Sequence, residues 1–140
     1  MAGDEAMIAL GIGCRRNASA DDIERLIAEA LTMAALQAES IGVVATERAK
    51  AEEPGIIEAA RRLGRPLIGI VASELGRVSH SAVTNSDRVQ HLKGVPSVAE
   101  TAALAAAGAH ARLILPRIAN ARATCALAEG EGQAAGEFQA

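Results

Sequence analysis

The chain has no tryptophan, no tyrosine and one phenylalanine in 140 residues. Aromatic faces for base stacking are therefore missing, and a net charge of −3 without any long basic block leaves nothing to track a phosphate backbone. No nucleic-acid partner is expected. Cysteine is scarce too: Cys14 and Cys125 stand far apart, outside any CxxC spacing, which argues against a zinc site or a disulfide framework and reads as two free thiols. The three histidines, His80, His91 and His110, are not spaced as a ligand set on one helix face, so neither a metal nor a cofactor is indicated. Every apolar run falls far short of the roughly 20 residues that cross a bilayer, which excludes a membrane-spanning segment. The opening "MAGDEAM" carries acids where a secretory signal carries cations, and a cytoplasmic location follows as the expectation.

Half of the residues are hydrophobic, mostly Ala, Leu, Ile and Val, enough for one buried core at this length. Short apolar runs alternate with helical ones, which is the pattern of an α/β domain. "MIALGIG", "SIGVVATE", "PLIGIVA", "ARLILP" and "ATCALA" read as strands. Three main helices are marked by their ends. Ser19 is placed as N-cap of the first, with Asp21 and Asp22 at its positive end. Pro54 opens the second and Gly64 stops it, while Ser97 and Glu100 form an S-x-x-E capping box for the third. "SELGRVSHSAVTNSD" is polar and rich in turn formers, and is expected to be an exposed loop with at most a short helical turn. The predicted fold is a single three-layer α/β/α domain over residues 1–128, with a largely parallel sheet of about five strands, followed by a flexible tail at 129–140.

The chemistry gathers where "GIGCRRNAS" runs from a strand into a helix start. A glycine-rich turn at Gly11 and Gly13 exposes backbone amides, a helix N-terminus adds partial positive charge, and Arg15 and Arg16 add forks suited to carboxylate or phosphate. The phosphate fingerprint GxGxxG is not met, because Arg16 stands where the third glycine belongs, and a structural turn with solvated arginines reads the same residues equally well. Cys14, beside these arginines, is either a thiolate-prone nucleophile or a half-buried apolar residue. Lys50 and Glu53, in "TERAKAEEPG" after the second strand, offer a cation and a proton-handling carboxylate, or simply a helix cap and a surface pair. Thr84, Asn85 and Ser86 supply hydroxyls and an amide, which is also ordinary turn chemistry.

In order, "GIGCRR", Lys50 with "EPG", "SEL", "TNS", "GVPSVAETAAL", "LILPR" and "ATCALA" resemble the CobE family of cobalamin-biosynthesis proteins, equivalent to the C-terminal domain of CbiG. The resemblance spans about Ile8 to Ala128 and rests on the ordered set, since each motif alone is common. It implies a precorrin or hydrogenobyrinic-acid-type tetrapyrrole as ligand, a polycarboxylate held by Gly11, Gly13, Cys14, Arg15, Arg16, Thr84, Asn85, Ser86 and Arg117, with other corrin-pathway enzymes as partners. Carrier or accessory binding is the first reading. The alternative is a hydrolase opening the ring δ-lactone of a precorrin-5A-type intermediate, with Glu53 as base and Lys50 as electrophilic aid. The sequence lacks the N-terminal part of CbiG-type proteins and carries Arg117 where the family has lysine after "LP". Alanine-rich helices such as "AETAALAAAG" are compatible with self-association.

Overall fold

The structure, a computed structural model, describes residues 6–84 and 96–132. Five strands and four α-helices follow in the order β1 (Met7–Cys14), α1 (Ala20–Ala34), β2 (Val43–Glu47), α2 (Pro54–Leu63), β3 (Leu67–Ile70), α3 (Ala72–Thr84), α4 (Val98–Ala107), β4 (Arg112–Ala119) and β5 (Ala123–Gly130). One sheet contains all five strands in the order β3-β2-β1-β5-β4. It is mixed. The pairings β1 with β2 and β2 with β3 are parallel, whereas β5 runs antiparallel to both β1 and β4. The first half of the chain thus winds by helical crossovers and the last two strands form a hairpin, whose short connection permits only antiparallel pairing.

Alternation along β1 sends Leu10 and Ile12 to one face and Ala9 to the other. On the first face α1 and α2 bury Ile23, Leu26, Ile27, Ala30, Ile56, Ala59 and Ala60 against Val44, Cys125 and Leu127. On the second lie α4 and, outside it, α3 through the partly buried Leu75 and Val78. Helix α4 is buried from Ala99 to Ala107 and consists largely of alanine, so its backbone lies very close to the sheet. A Cβ on Gly11 would stand 2.0 Å from the Ala99 carbonyl oxygen, and one on Gly130 would stand 2.6 Å from that of Ala107. Glycine at these two positions is what lets the two ends of α4 settle on the sheet.

The helix ends behave as their sequences dictate. Ser19 Oγ accepts from the Asp22 amide at 3.0 Å, Pro54 opens α2, and Gly64 ends it in the left-handed region at φ 78°. Two expectations are corrected. The segment expected as an exposed loop is helical from Ala72 to Thr84, because Leu75 and Val78, one turn apart, have the α4 layer to pack on and outweigh the turn-forming Ser and Gly residues. The fold also continues past Ala128: β5 reaches Gly130, and the Gly132 amide donates to the Ala107 carbonyl at 2.7 Å. Residues 133–140 lie outside the described residues. Among the described residues no helix is long and apolar enough to cross a membrane.

Candidate functional site

Strand β1 does not stop at its glycines. Gly11 pairs with Ala126 and Gly13 with Thr124, and the ladder runs on to Cys14 opposite Ala123. The expected glycine-rich anion turn is therefore corrected: both glycines belong to the sheet, and the turn is made by Arg15 to Ser19. Three of its five amides are already engaged. Arg15 donates to the Arg122 carbonyl at 2.9 Å, Ala18 to the Arg15 carbonyl at 3.1 Å, and Asn17, in the left-handed region at φ 67°, donates to Glu53 Oε1 at 3.1 Å. What the turn presents outward is its two exposed arginine side chains, Arg15 and Arg16.

Beside this turn a cleft of about 360 Å³ opens at the carboxyl ends of β1 and β2, where an α/β sheet gathers its ligands. Arg15, Glu47, Val98, Arg117, Arg122 and Thr124 contribute to its walls. The structure thus brings Gly13, Cys14, Arg15 and Arg117 together from the predicted set. Gly11 lies under α4 instead. Lys50 and Glu53 do not line the cleft; they lie just before α2 and at its N-cap, close enough to Cys14 for their charges to act on its thiol. Thr84 is the last residue of α3, and Asn85 and Ser86 lie outside the described residues.

Arg117 is not on a loop. It stands in β4 at an irregularity, where pairing passes from Leu115 opposite Leu127 to Ile118 opposite Cys125, so that Pro116 and Arg117 together face one residue of β5. Proline has no N–H to give, and the Arg117 amide turns to Glu100 Oε2 at 3.0 Å. The second oxygen of the same buried carboxylate accepts from the Ser97 amide at 2.8 Å, while Ser97 Oγ accepts from the Glu100 amide at 3.1 Å. The expected capping box is present, and its glutamate also holds the bulge. At the hairpin tip Asn120 Oδ1 accepts from the Arg122 and Ala123 amides, both at 2.9 Å, and Asn120 Nδ2 donates to the Asp22 carbonyl at 3.1 Å. The hairpin is thereby fastened to the first turn of α1.

The electrostatics separate sharply. Arg25, Arg61, Arg62, Arg77 and Arg112 all pair with carboxylates, and Arg65 donates to backbone carbonyls. Arg15, Arg16, Arg48, Lys50, Arg117 and Arg122 make no ion pair among the described residues, and all six lie at the strand-end edge that carries the cleft. The Cys14 thiol is pushed up, first by burial, then by Glu53 and Glu47 against an opposing pull from Lys50. Burial and these carboxylates speak for the half-buried reading of Cys14 rather than the thiolate one. Glu47, Asn120 and Arg122 were not singled out from sequence. The strand-end rule could have found Glu47, but nothing local places the hairpin tip beside β1.

Residues 8–128 match the family described as Cobalamin synthesis G C-terminus. The chain is 37% identical over 123 residues to Protein CobE of Sinorhizobium sp., covering 88% of this chain and 80% of that one. It is 31% identical over 103 residues to the cobalt-precorrin-5A hydrolase of Priestia megaterium, which takes in 74% of this chain but only 27% of that protein. The crystal structure of cobalamin biosynthesis protein chiG from Agrobacterium tumefaciens superposes with a TM-score of 0.77 at 37% identity, over 87% of this chain and 97% of that one.

Proposed function

This chain belongs to the Cobalamin synthesis G C-terminus family and to cobalamin biosynthesis, and from that premise we propose that its cleft receives the carboxylate edge of a precorrin or hydrogenobyrinic-acid-type tetrapyrrole, as carrier or accessory factor. The observation that carries the reading is the collection, at the carboxyl ends of the strands, of six cations that make no ion pair among the described residues, three of which, Arg15, Arg117 and Arg122, line the cleft together with Glu47. Exposed cations gain little from one another and attract polyanions. Arg15, on the turn after β1, and Arg117 and Arg122, on the β4–β5 hairpin, meet at the cleft from two distant stretches of chain, which suits several carboxylates spread along the rim of one macrocycle better than a single phosphate. A cleft of about 360 Å³ lies at the small end of the range for ligand pockets, so it fits an edge of such a ring and leaves the rest exposed. That geometry favours uptake and delivery over enclosure. Thr84, Asn85 and Ser86 enter the same reading as hydrogen-bonding groups, on their chemistry alone. Hand-over to other corrin-pathway enzymes in the cytoplasm completes the reading.

The test is an absorbance titration of the protein with hydrogenobyrinic acid and precorrin intermediates, followed by mass analysis of the recovered ligand. Saturable binding with unchanged mass supports a carrier, and R15A, R117A and R122A should each weaken it roughly tenfold, about the worth of one charge-assisted contact. Binding that is indifferent to all three substitutions and to salt would sink the proposal.

A second reading, lactone hydrolysis, is favoured by Lys50 and Glu53 lying near Cys14, which lines the cleft. Glu53 would take the proton of an attacking water while Lys50 stabilises the oxyanion. Against it stands the bond already made by Glu53 to the Asn17 amide. A mass change in the recovered ligand that is lost in Glu53→Gln would decide for the hydrolase.

A further inference from the structure

Glu100 is buried beside the cationic edge, yet it makes no ion pair among the described residues. Only 7% of its surface is exposed. Both of its oxygens are used as acceptors, each by a backbone amide: Ser97 at 2.8 Å and Arg117 at 3.0 Å. A capping box needs only the first of these bonds, and glutamine serves there as well as glutamate. The second bond exists because Pro116 and the bulge leave the Arg117 amide outside the β4–β5 ladder. Helix α4, in turn, lies in close backbone contact with β1, since the Ala99 carbonyl occupies the space where a Gly11 side chain would be. A rigid path therefore runs from β1 through α4 and Glu100 to the backbone of Arg117.

We propose that Glu100 is a positioning residue for ligand binding, which fixes Arg117 against the cleft and hence at a set distance from Arg15. The role rests on the reading of the cleft as a carboxylate site. It requires a carboxylate, because a glutamine has one acceptor oxygen and would present its NH2 group to one of the two amide donors. Because glutamine can keep the capping-box bond to the Ser97 amide, E100Q should release the Arg117 amide and the bulge, whereas S97A removes the Oγ cap alone and leaves both bonds to the Glu100 carboxylate in place.

The deciding experiment pairs amide hydrogen exchange at Arg117 with titration by hydrogenobyrinic acid in wild type, E100Q, S97A, R117A and E100Q/R117A, with thermal unfolding alongside. We expect Arg117 exchange to accelerate by about tenfold or more in E100Q, the scale of one lost buried hydrogen bond, and to stay near wild type in S97A. Affinity should fall roughly tenfold in E100Q but no further in E100Q/R117A than in R117A alone, since one path carries both effects. S97A should lower the melting temperature and keep its affinity. Equal affinity losses in S97A and E100Q, or additive losses in the double variant, would reduce Glu100 to a stabilising cap. If E100Q does not fold, E100D keeps two acceptors on a shorter arm and should give an intermediate loss of both protection and affinity. Wild-type-like values for it overturn the proposal. If wild type binds no hydrogenobyrinic acid, the carboxylate-site reading and the binding role built on it both fall, while Arg117 exchange still reports separately whether Glu100 holds the bulge.

Discussion

Replacing Gly11 by alanine adds one methyl group in the middle of β1. The strand conformation itself accepts alanine, and the loss of unfolded-state freedom would favour the variant by about 0.4–1 kcal/mol. The new Cβ, however, would stand 2.0 Å from the Ala99 carbonyl oxygen, 2.8 Å from the Ala103 amide nitrogen and 3.0 Å from the Ala103 Cβ, where ordinary contact begins at 3.4 Å. Two of these three atoms are backbone, so no rotamer change relieves them. Helix α4 has to withdraw by more than an ångström, and the fully buried Ala99, Ala102, Ala103 and Ala106 lose contact with the sheet together. Overpacking commonly costs about 1–3 kcal/mol, and a clash with backbone belongs at the upper end, so we expect a net loss of about 3 kcal/mol. At this chain length that corresponds to roughly 10 °C in melting temperature. Urea and thermal unfolding measure it. The natural control is G76A in α3, where nothing stands within 4 Å of the added Cβ and the helical gain of alanine over glycine should stabilise by up to about 1 kcal/mol. A G11A protein within about 0.5 kcal/mol of wild type would refute the claim that α4 is pinned to β1, and with it the rigid path to Arg117.

Two further outcomes follow from the titrating groups. Hydrogen bonds from Arg61 and then Arg62 hold the Glu58 carboxyl down to about 2, below its ordinary value of 4.5. Its contribution to stability is therefore present above about pH 4.5 and is lost as the pH falls towards 2. The drop in urea midpoint between pH 6 and pH 3 should be smaller in E58Q than in wild type, and smaller still as a difference at high salt, because the group is exposed. Equal drops would show that the pair does not act in solution. At pH 7.5 the raised Cys14 thiol should alkylate with iodoacetamide more slowly than free cysteine. E53Q, which keeps an oxygen for the Asn17 amide but removes a negative charge, should speed it. Cys125, pushed up to about 12 by burial and then by Glu29, should react only on unfolding, and labelling of the native protein at Cys125 first would contradict the buried placement.

Much of the architecture was legible because its signals are local. Ser19, Pro54, Gly64 and the Ser97–Glu100 pair each act within one helical turn, and each ends or starts a helix where its chemistry requires. The strands were legible as apolar runs. Helix α3 was not, because its turn-forming residues are overruled only by a layer that other parts of the chain supply. The glycines of β1 were misread for a related reason: a glycine that frees a turn and a glycine that admits a helix look the same until the partner surface is known.

By itself the sequence determined the α/β class, the helix ends and the resemblance that leads to the cobalamin family, since all of these depend on residue types and short spacings. Tertiary structure alone decided that β5 lies antiparallel beside β1, which carries Arg117 and Arg122 from the end of the chain to Arg15 near its beginning. It also set the longer-range pairs of Arg62 with Asp21 and Glu24 and of Arg112 with Glu129. The strand placement is a consequence of contacts between residues about a hundred positions apart, and such contacts leave no periodicity in the chain that makes them.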